Sequence, residues 1–212
     1  MAQSQREGSK STDTTVVIVG AGPGGLALAA DLGSRGIASV LVETRTDVTS
    51  HPRATLLGAR SMELYRRFGI ADEILGAGLP TDQPYEVIFT VRLRGEVLHA
   101  YRSPAPDEYL LAHEKMSSPL RDAAWTPYCK VQIGQHALEP IVRGLVERMG
   151  QCTLMYGWRF ESFTQDESGV CCEISDVATG ERRNLRGAYL VAGYNADGAV
   201  RNYARGYYYD AK

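Results

Sequence analysis

Apolar residues recur along this chain in two periods, and the places where the period changes mark the elements. Thr15-Val-Val-Ile-Val19 is a nearly unbroken β-branched run, the pattern of a strand buried on both faces. The following Leu26-Ala-Leu-Ala-Ala-Asp-Leu32 continues as a small-residue, apolar helix, and Gly36 stands where a C′ glycine would stop it. Ser39-Val-Leu-Val-Glu43 then reads as a second buried strand that ends in an acid. Further on, Met62, Leu64, Tyr65 and Phe68 make an apolar stripe, with Arg60, Arg66 and Arg67 towards water and Gly69 as the stop, which predicts a helix. A helix is also predicted over 135–148, where Leu138, Ile141, Val142 and Leu145 share one side.

Between those two helices alternation replaces the helical period. Residues 85–128 carry stretches such as Val91-Arg-Leu-Arg-Gly-Glu-Val-Leu-His99 and several prolines, among them Pro104, Pro106, Pro119 and Pro127, so they read as inserted strands and loops. After the second helix the chain returns to sheet. Strands are expected over 155–164 and 170–176, joined at Gln165-Asp-Glu-Ser-Gly169, with a turn at Ala178-Thr-Gly180-Glu before a last strand over 185–192. The polar opening, residues 1–13, predicts a disordered tail without the apolar core of a secretory signal. The end, where Tyr194, Tyr203, Tyr207, Tyr208 and Tyr209 crowd together without a period, predicts no folded element.

The turn between the first strand and helix carries the candidate chemistry. Gly20-Ala-Gly22-Pro-Gly24-Gly25 contains the G-x-G-x-x-G spacing, in which each glycine has its own task. Gly20 makes the tight turn, Gly22 lets backbone approach a pyrophosphate, and Gly25 lets the helix pack closely on the strand. The helix N-terminus then offers N–H groups and the positive end of its dipole to an anion. Glu43 lies at the end of the next strand, close to the spacing of a carboxylate that binds the hydroxyls of an adenosine ribose; its charge disfavours a 2′-phosphate. These features together predict a dinucleotide-binding βαβ unit.

Bulk properties narrow the partners. With 212 residues, a formal net charge of −2 and 44% apolar residues, the chain has the composition of a globular protein, with no run long enough for a membrane helix and no charge excess for nucleic acid. Cys129, Cys152, Cys171 and Cys172 lack C-x-x-C spacing and read as reduced thiols of a cytoplasmic protein; Cys171 and Cys172 should face opposite sides of a strand. His51, His99, His113 and His136 are scattered, so no metal site is expected.

Taken together, these segments resemble the N-terminal half of the FAD-dependent aromatic hydroxylases, the single-component flavoprotein monooxygenases. The resemblance runs from about residue 14 to residue 201. It rests most on the glycine turn with Glu43, on Pro52-Arg53-Ala followed by Arg60-Ser-Met-Glu-Leu, on Gln135-x-x-Leu138-Glu139, and on the hairpin leading into Tyr189-Leu-Val-Ala192. It implies an α/β, glutathione-reductase-like FAD/NAD(P)-binding Rossmann domain with an inserted, mainly β segment. The expected parts are 14–83 for the FAD-binding βαβ portion, 84–128 for the insertion, and 129–212 for a truncated continuation of the FAD-binding domain.

By the same resemblance, Gly20, Gly22, Gly24 and Gly25 would hold the FAD pyrophosphate and Glu43 the adenosine ribose. Arg53 would lie along the phosphate and ribityl region, and Gln135 near the ribityl or pyrophosphate. NAD(P)H would reduce the flavin, and O2 with a small aromatic substrate would complete the reaction; an oligomer is left open. The pattern departs from the family after the 185–192 strand. Members carry Asp-Gly where Tyr194-Asn195 stands, with an arginine matched by Arg201, while Asp197-Gly198 falls three positions late. No catalytic base is identified: His99, Tyr101, Tyr109 and His113 of the insertion sit in no motif. Two other readings stay open, another FAD-dependent oxidoreductase on the same scaffold and a non-catalytic remnant or interaction protein.

Overall fold

A computed structural model describes residues 13–108, 128 and 130–193. The expectations for the N-terminal tail through residue 12, for Tyr109, His113 and Cys129, and for Tyr194, Asn195, Asp197, Gly198, Arg201 and the last tyrosines lie outside the described residues. In chain order the elements are β1 (Thr14–Val19), α1 (Pro23–Ser34), β2 (Ser39–Glu43), β3 (Leu56–Leu57), α2 (Ala59–Arg67), α3 (Ala71–Ala77), β4 (Tyr85–Thr90), β5 (Val97–Ser103), β6 (Val131–Gln132), α4 (Gln135–Met149), β7 (Cys152–Tyr156), β8 (Trp158–Asp166), β9 (Gly169–Asp176) and β10 (Arg182–Ala192). The chain divides into two compact units, one formed by the residues up to Val48 and from Arg143 onward, the other by Thr49–Val142.

The first unit is a six-stranded sheet in the order β7-β2-β1-β10-β9-β8. The first four strands run parallel, and β10, β9 and β8 form an antiparallel meander. β10 belongs to both halves: 182–187 pair with β9, and 187–192 pair with β1. The fold is α/β with a parallel sheet, as the βαβ pattern predicts. Val17, Val19, Val40 and Val42 are buried in one cluster with Phe160, Val170, Cys172 and Ile174 of the meander. Ile18 and Leu41 alternate with those valines and are also fully buried, as are Leu26 and Ala30 of α1. Both faces of β1 and β2 are therefore covered, which explains the unbroken apolar runs. Each of the buried valine, leucine, isoleucine and phenylalanine side chains contributes roughly 1.5–3 kcal/mol on burial.

The helix stop at the end of α1 follows its sequence signal. Gly36 has φ +71, its N–H donates to the Gly33 carbonyl, and the Ile37 N–H donates to the Leu32 carbonyl, a Schellman closure. Cys172 is buried while its neighbour Cys171 is half-buried, as alternation on a strand requires.

One strand reading is corrected. The run 155–164 is not a single strand: Tyr156 ends β7, which pairs parallel with β2, and Trp158 begins β8, which pairs antiparallel with β9. Gly157, at φ +77, makes the break. Its left-handed conformation costs a residue with a Cβ about 1–2 kcal/mol, and the apolar run continues on both sides, so the period alone does not show the division.

The second unit holds β3, α2, α3, β4, β5, β6 and α4 as far as Val142. In α2, Met62, Tyr65 and Phe68 are buried and Arg66 and Arg67 exposed, and Gly69 follows at φ +76, as the stripe predicts. β3 and β6 pair antiparallel, and the pairing continues through Ile133 N–H to Thr55 C=O and Gln135 N–H to Ala54 C=O. β4 and β5 pair antiparallel as a separate two-stranded sheet. In α4, Leu138, Val142 and Leu145 are buried. No helix among the described residues is long and apolar enough to cross a membrane.

Candidate cofactor site

β1 delivers the chain into the glycine turn. Gly20 adopts φ +102, and its N–H donates to the Val42 carbonyl at 2.8 Å, so the turn is fastened to β2. A Cβ on residue 25 would stand 1.9 Å from the Gly20 carbonyl oxygen. Only glycine fits there without opening the turn. Gly22 and Gly24 differ: a Cβ on either would meet nothing within 4 Å. Among the described residues nothing packs against them, so their glycine identity has no packing reason there.

α1 starts at these glycines. Gly22 is its N-cap, with no side-chain cap, Pro23 lies at its start and no acid occupies the first turn. Its Leu26 N–H already bonds Gly22 C=O. The first-turn N–H groups of Gly24 and Gly25 have no carbonyl one turn earlier within the helix, and together with the dipole they favour an anion. A carboxylate in the first turn would compete with that anion, and α1 carries none there.

Glu43, at the end of β2, reaches back to this turn. Its Oε2 accepts the Ala21 N–H at 2.7 Å, and its Oε1 accepts the backbone N–H of Arg45 at 2.9 Å and the Arg45 Nε–H at 3.0 Å. Arg45 Nη2 stands 3.4 Å from Oε2. The Arg45 carbonyl accepts the Gly157 N–H at 2.8 Å, so the loop that carries this arginine is tied to the β7–β8 break. Burial pushes the Glu43 pKa up, but the Arg45 side-chain hydrogen bond, the Arg45 and Ala21 backbone N–H groups and the Arg45 charge outweigh it and hold it below the ordinary glutamate value. Glu43 is therefore an ionised acceptor beside the glycine turn at neutral pH. The structure brings Gly20, Gly22, Gly24, Gly25 and Glu43 together in the first unit.

Arg53 and Gln135 lie in the second unit. The β3–β6 ladder brings them near one another, because Ala54, next to Arg53, accepts the Gln135 backbone N–H at 2.8 Å. Arg53 is exposed. The Gln135 Nε2–H donates to Glu139 Oε1 at 2.6 Å, and Glu139 Oε2 accepts the Thr49 N–H at 2.8 Å. Glu139 is fully buried. Arg60, on the outer face of α2, pairs with Glu63 at 2.7 Å and is almost fully exposed. His99 of β5 lies beside Phe89 in a tilted ring contact, centroids 6.1 Å apart, and Tyr101 is exposed.

Two residues of this arrangement were given no role by the sequence. Arg45 follows Glu43 by two positions, the spacing that keeps side chains on one face of an extended chain, and that is its only signal. Glu139 sits beside Leu138 inside the apolar stripe of α4; a charge at such a position announces a buried, hydrogen-bonded role. No group of histidine, cysteine or acidic residues among the described residues could hold a metal ion.

Comparison with known proteins places this geometry. The family described as FAD binding domain matches residues 13–205. The chain belongs to that family. This FAD-binding-domain chain is 33% identical over 198 residues to the tetracenomycin A2 monooxygenase-dioxygenase of Streptomyces glaucescens, covering 89% of the chain and 34% of that protein. It is 29% identical over 191 residues to the phenol 2-monooxygenase of Pseudomonas sp., covering 88% of the chain and 29% of that protein. Among solved structures, the ternary complex of aklavinone-11 hydroxylase with FAD and aklavinone superposes with a TM-score of 0.77 at 28% identity, over 93% of this chain and 36% of that one. The chain spans about a third of the length of these relatives, as the resemblance to one part of the aromatic hydroxylases implies.

Proposed function

We propose that this chain is the FAD-holding part of a flavoprotein monooxygenase that hydroxylates a small phenol-like aromatic with NAD(P)H and O2. Gly20, Gly22, Gly24 and Gly25 would hold the pyrophosphate against the α1 N-terminus, and Glu43 would accept from the adenosine ribose. Arg53, exposed and with a planar fork of donors, would lie along the phosphate and ribityl region, and Gln135 would contribute its amide oxygen near the ribityl or pyrophosphate. The flavin, when bound, supplies the redox chemistry and the oxygen activation.

The observation that carries this reading is that no described residue packs against Gly22 or Gly24, which stand between an uncapped helix start and an ionised carboxylate. These residues fit the adenosine diphosphate half of FAD: an anion-binding terminus and a hydroxyl acceptor lie a few residues apart in space. Cytoplasmic residence fits the free Cys152, Cys171 and Cys172.

The test is FAD retention by the purified chain, read from visible absorbance after gel filtration and from quenching of FAD fluorescence, with Gly22→Trp as the control. Binding that Gly22→Trp abolishes supports the reading. A folded protein that binds no FAD overturns it. Substrate-stimulated oxidation of NAD(P)H by the full-length enzyme, with hydroxylated product in step, tests the reaction class.

A further inference from the structure

The acceptor capacity of Glu43 is nearly used up inside the protein. A carboxylate offers about four lone-pair directions, two on each oxygen. Oε1 receives two good donors, the Arg45 backbone N–H at 2.9 Å and its Nε–H at 3.0 Å. Oε2 receives one, the Ala21 N–H at 2.7 Å, with Arg45 Nη2 at 3.4 Å as a long second contact. The direction that remains is therefore on Oε2. That oxygen is the one bonded to the glycine turn, so a hydroxyl donating to it lies next to the pyrophosphate cradle.

We propose that Arg45 is a positioning residue for nucleotide recognition: it occupies Oε1 and orients Glu43 so that Oε2 takes one ribose hydroxyl of the adenosine, and only one. This proposal rests on the FAD reading above. Arg45 can do this because it is held at several points. Its backbone N–H and its guanidinium grip the same carboxylate oxygen, and its carbonyl is fastened to Gly157. A lysine at this position would keep the charge but lose the fork that pins Oε1. Without the arginine, the carboxylate would keep only the Ala21 bond and the Arg45 backbone bond, and would turn about its own axis to share both ribose hydroxyls or neither.

The experiment compares FAD with its 2′-deoxyadenosine and 3′-deoxyadenosine analogues by flavin fluorescence quenching on the wild-type chain and on Arg45→Ala and Arg45→Lys. In the wild type, one deoxy analogue should bind roughly tenfold more weakly than FAD, the loss of one hydrogen bond to a charged group, and the other should bind like FAD. Arg45→Ala should bind FAD more weakly and lose the difference between the two analogues, and Arg45→Lys should fall between. A merely structural arginine would lower all three affinities together and leave their ratios unchanged, which would overturn the proposal. Equal losses for both analogues in the wild type would also overturn it, and this comparison needs no variant to fold. If the folded wild type binds none of the three, the FAD reading itself fails, and the role of Arg45 falls with it.

Discussion

Residue 25 and the carbonyl of Gly20 approach so closely that a single added carbon would stand 1.9 Å from that oxygen, while the same carbon on Gly22 or Gly24 would meet no described residue within 4 Å. The three glycines therefore answer to different constraints. Gly25→Ala should destabilise the fold by about 1–3 kcal/mol, because backbone on both sides must move. Gly22→Ala should unfold like the wild type and yet bind FAD more weakly. Urea denaturation of each variant beside FAD titration separates the two effects; equal stability of Gly25→Ala and wild type would contradict the close packing.

Glu43 links stability to acid. Its pKa in the folded protein lies below the unfolded value, so the stability it contributes is fully present above roughly pH 4.3 and is lost as pH falls through the folded value. Glu43→Gln should be less stable than wild type at neutral pH, and the gap should narrow on the acid side. Urea midpoints measured between pH 3 and pH 7 check the sign.

Glu139 is buried and bonded to both Thr49 and Gln135. Glu139→Ala should cost about 1–3 kcal/mol, since the buried Thr49 N–H loses its acceptor. Glu139→Gln keeps an acceptor and should cost less. A thermal melt of the two variants that places them level would argue against the Thr49 bond.

Cys172 lies in the core cluster, and burial, with a smaller contribution from Cys171, pushes its thiol up to about 12. In the native protein at pH 8 it should resist an aromatic disulfide reagent that labels the half-buried Cys171, and it should react only once urea unfolds the sheet. Peptide mapping of the labelled protein identifies the site, and fast native labelling of Cys172 would refute its burial.

Much of the first unit was legible along the chain. The run through Val16 and Ile18 is apolar at every position because both faces of β1 are covered, and Gly36 stops α1 through local backbone geometry; Gly69 does the same for α2 in the second unit. Gly20 and Glu43 carry a spacing that a βαβ unit imposes, so motif and structure coincide. Arg53 and Gln135 stood out through family resemblance, and their nearness comes from the β3–β6 ladder, whose strands are each two residues long.

Local sequence thus determined β1, α1, β2, α2 and α4 and where α1 and α2 end, because these depend on backbone conformation and on the periodicity of burial; it did not single out α3, a helix of seven residues. It did not reveal that the run around Gly157 divides between two pairings, that Glu139 anchors Thr49, or that Arg45 closes on Glu43. The division at Gly157 depends on β7 pairing with β2 and β8 with β9, the Thr49 contact joins residues 90 positions apart, and the closure of Arg45 depends on a side-chain conformation that periodicity does not encode.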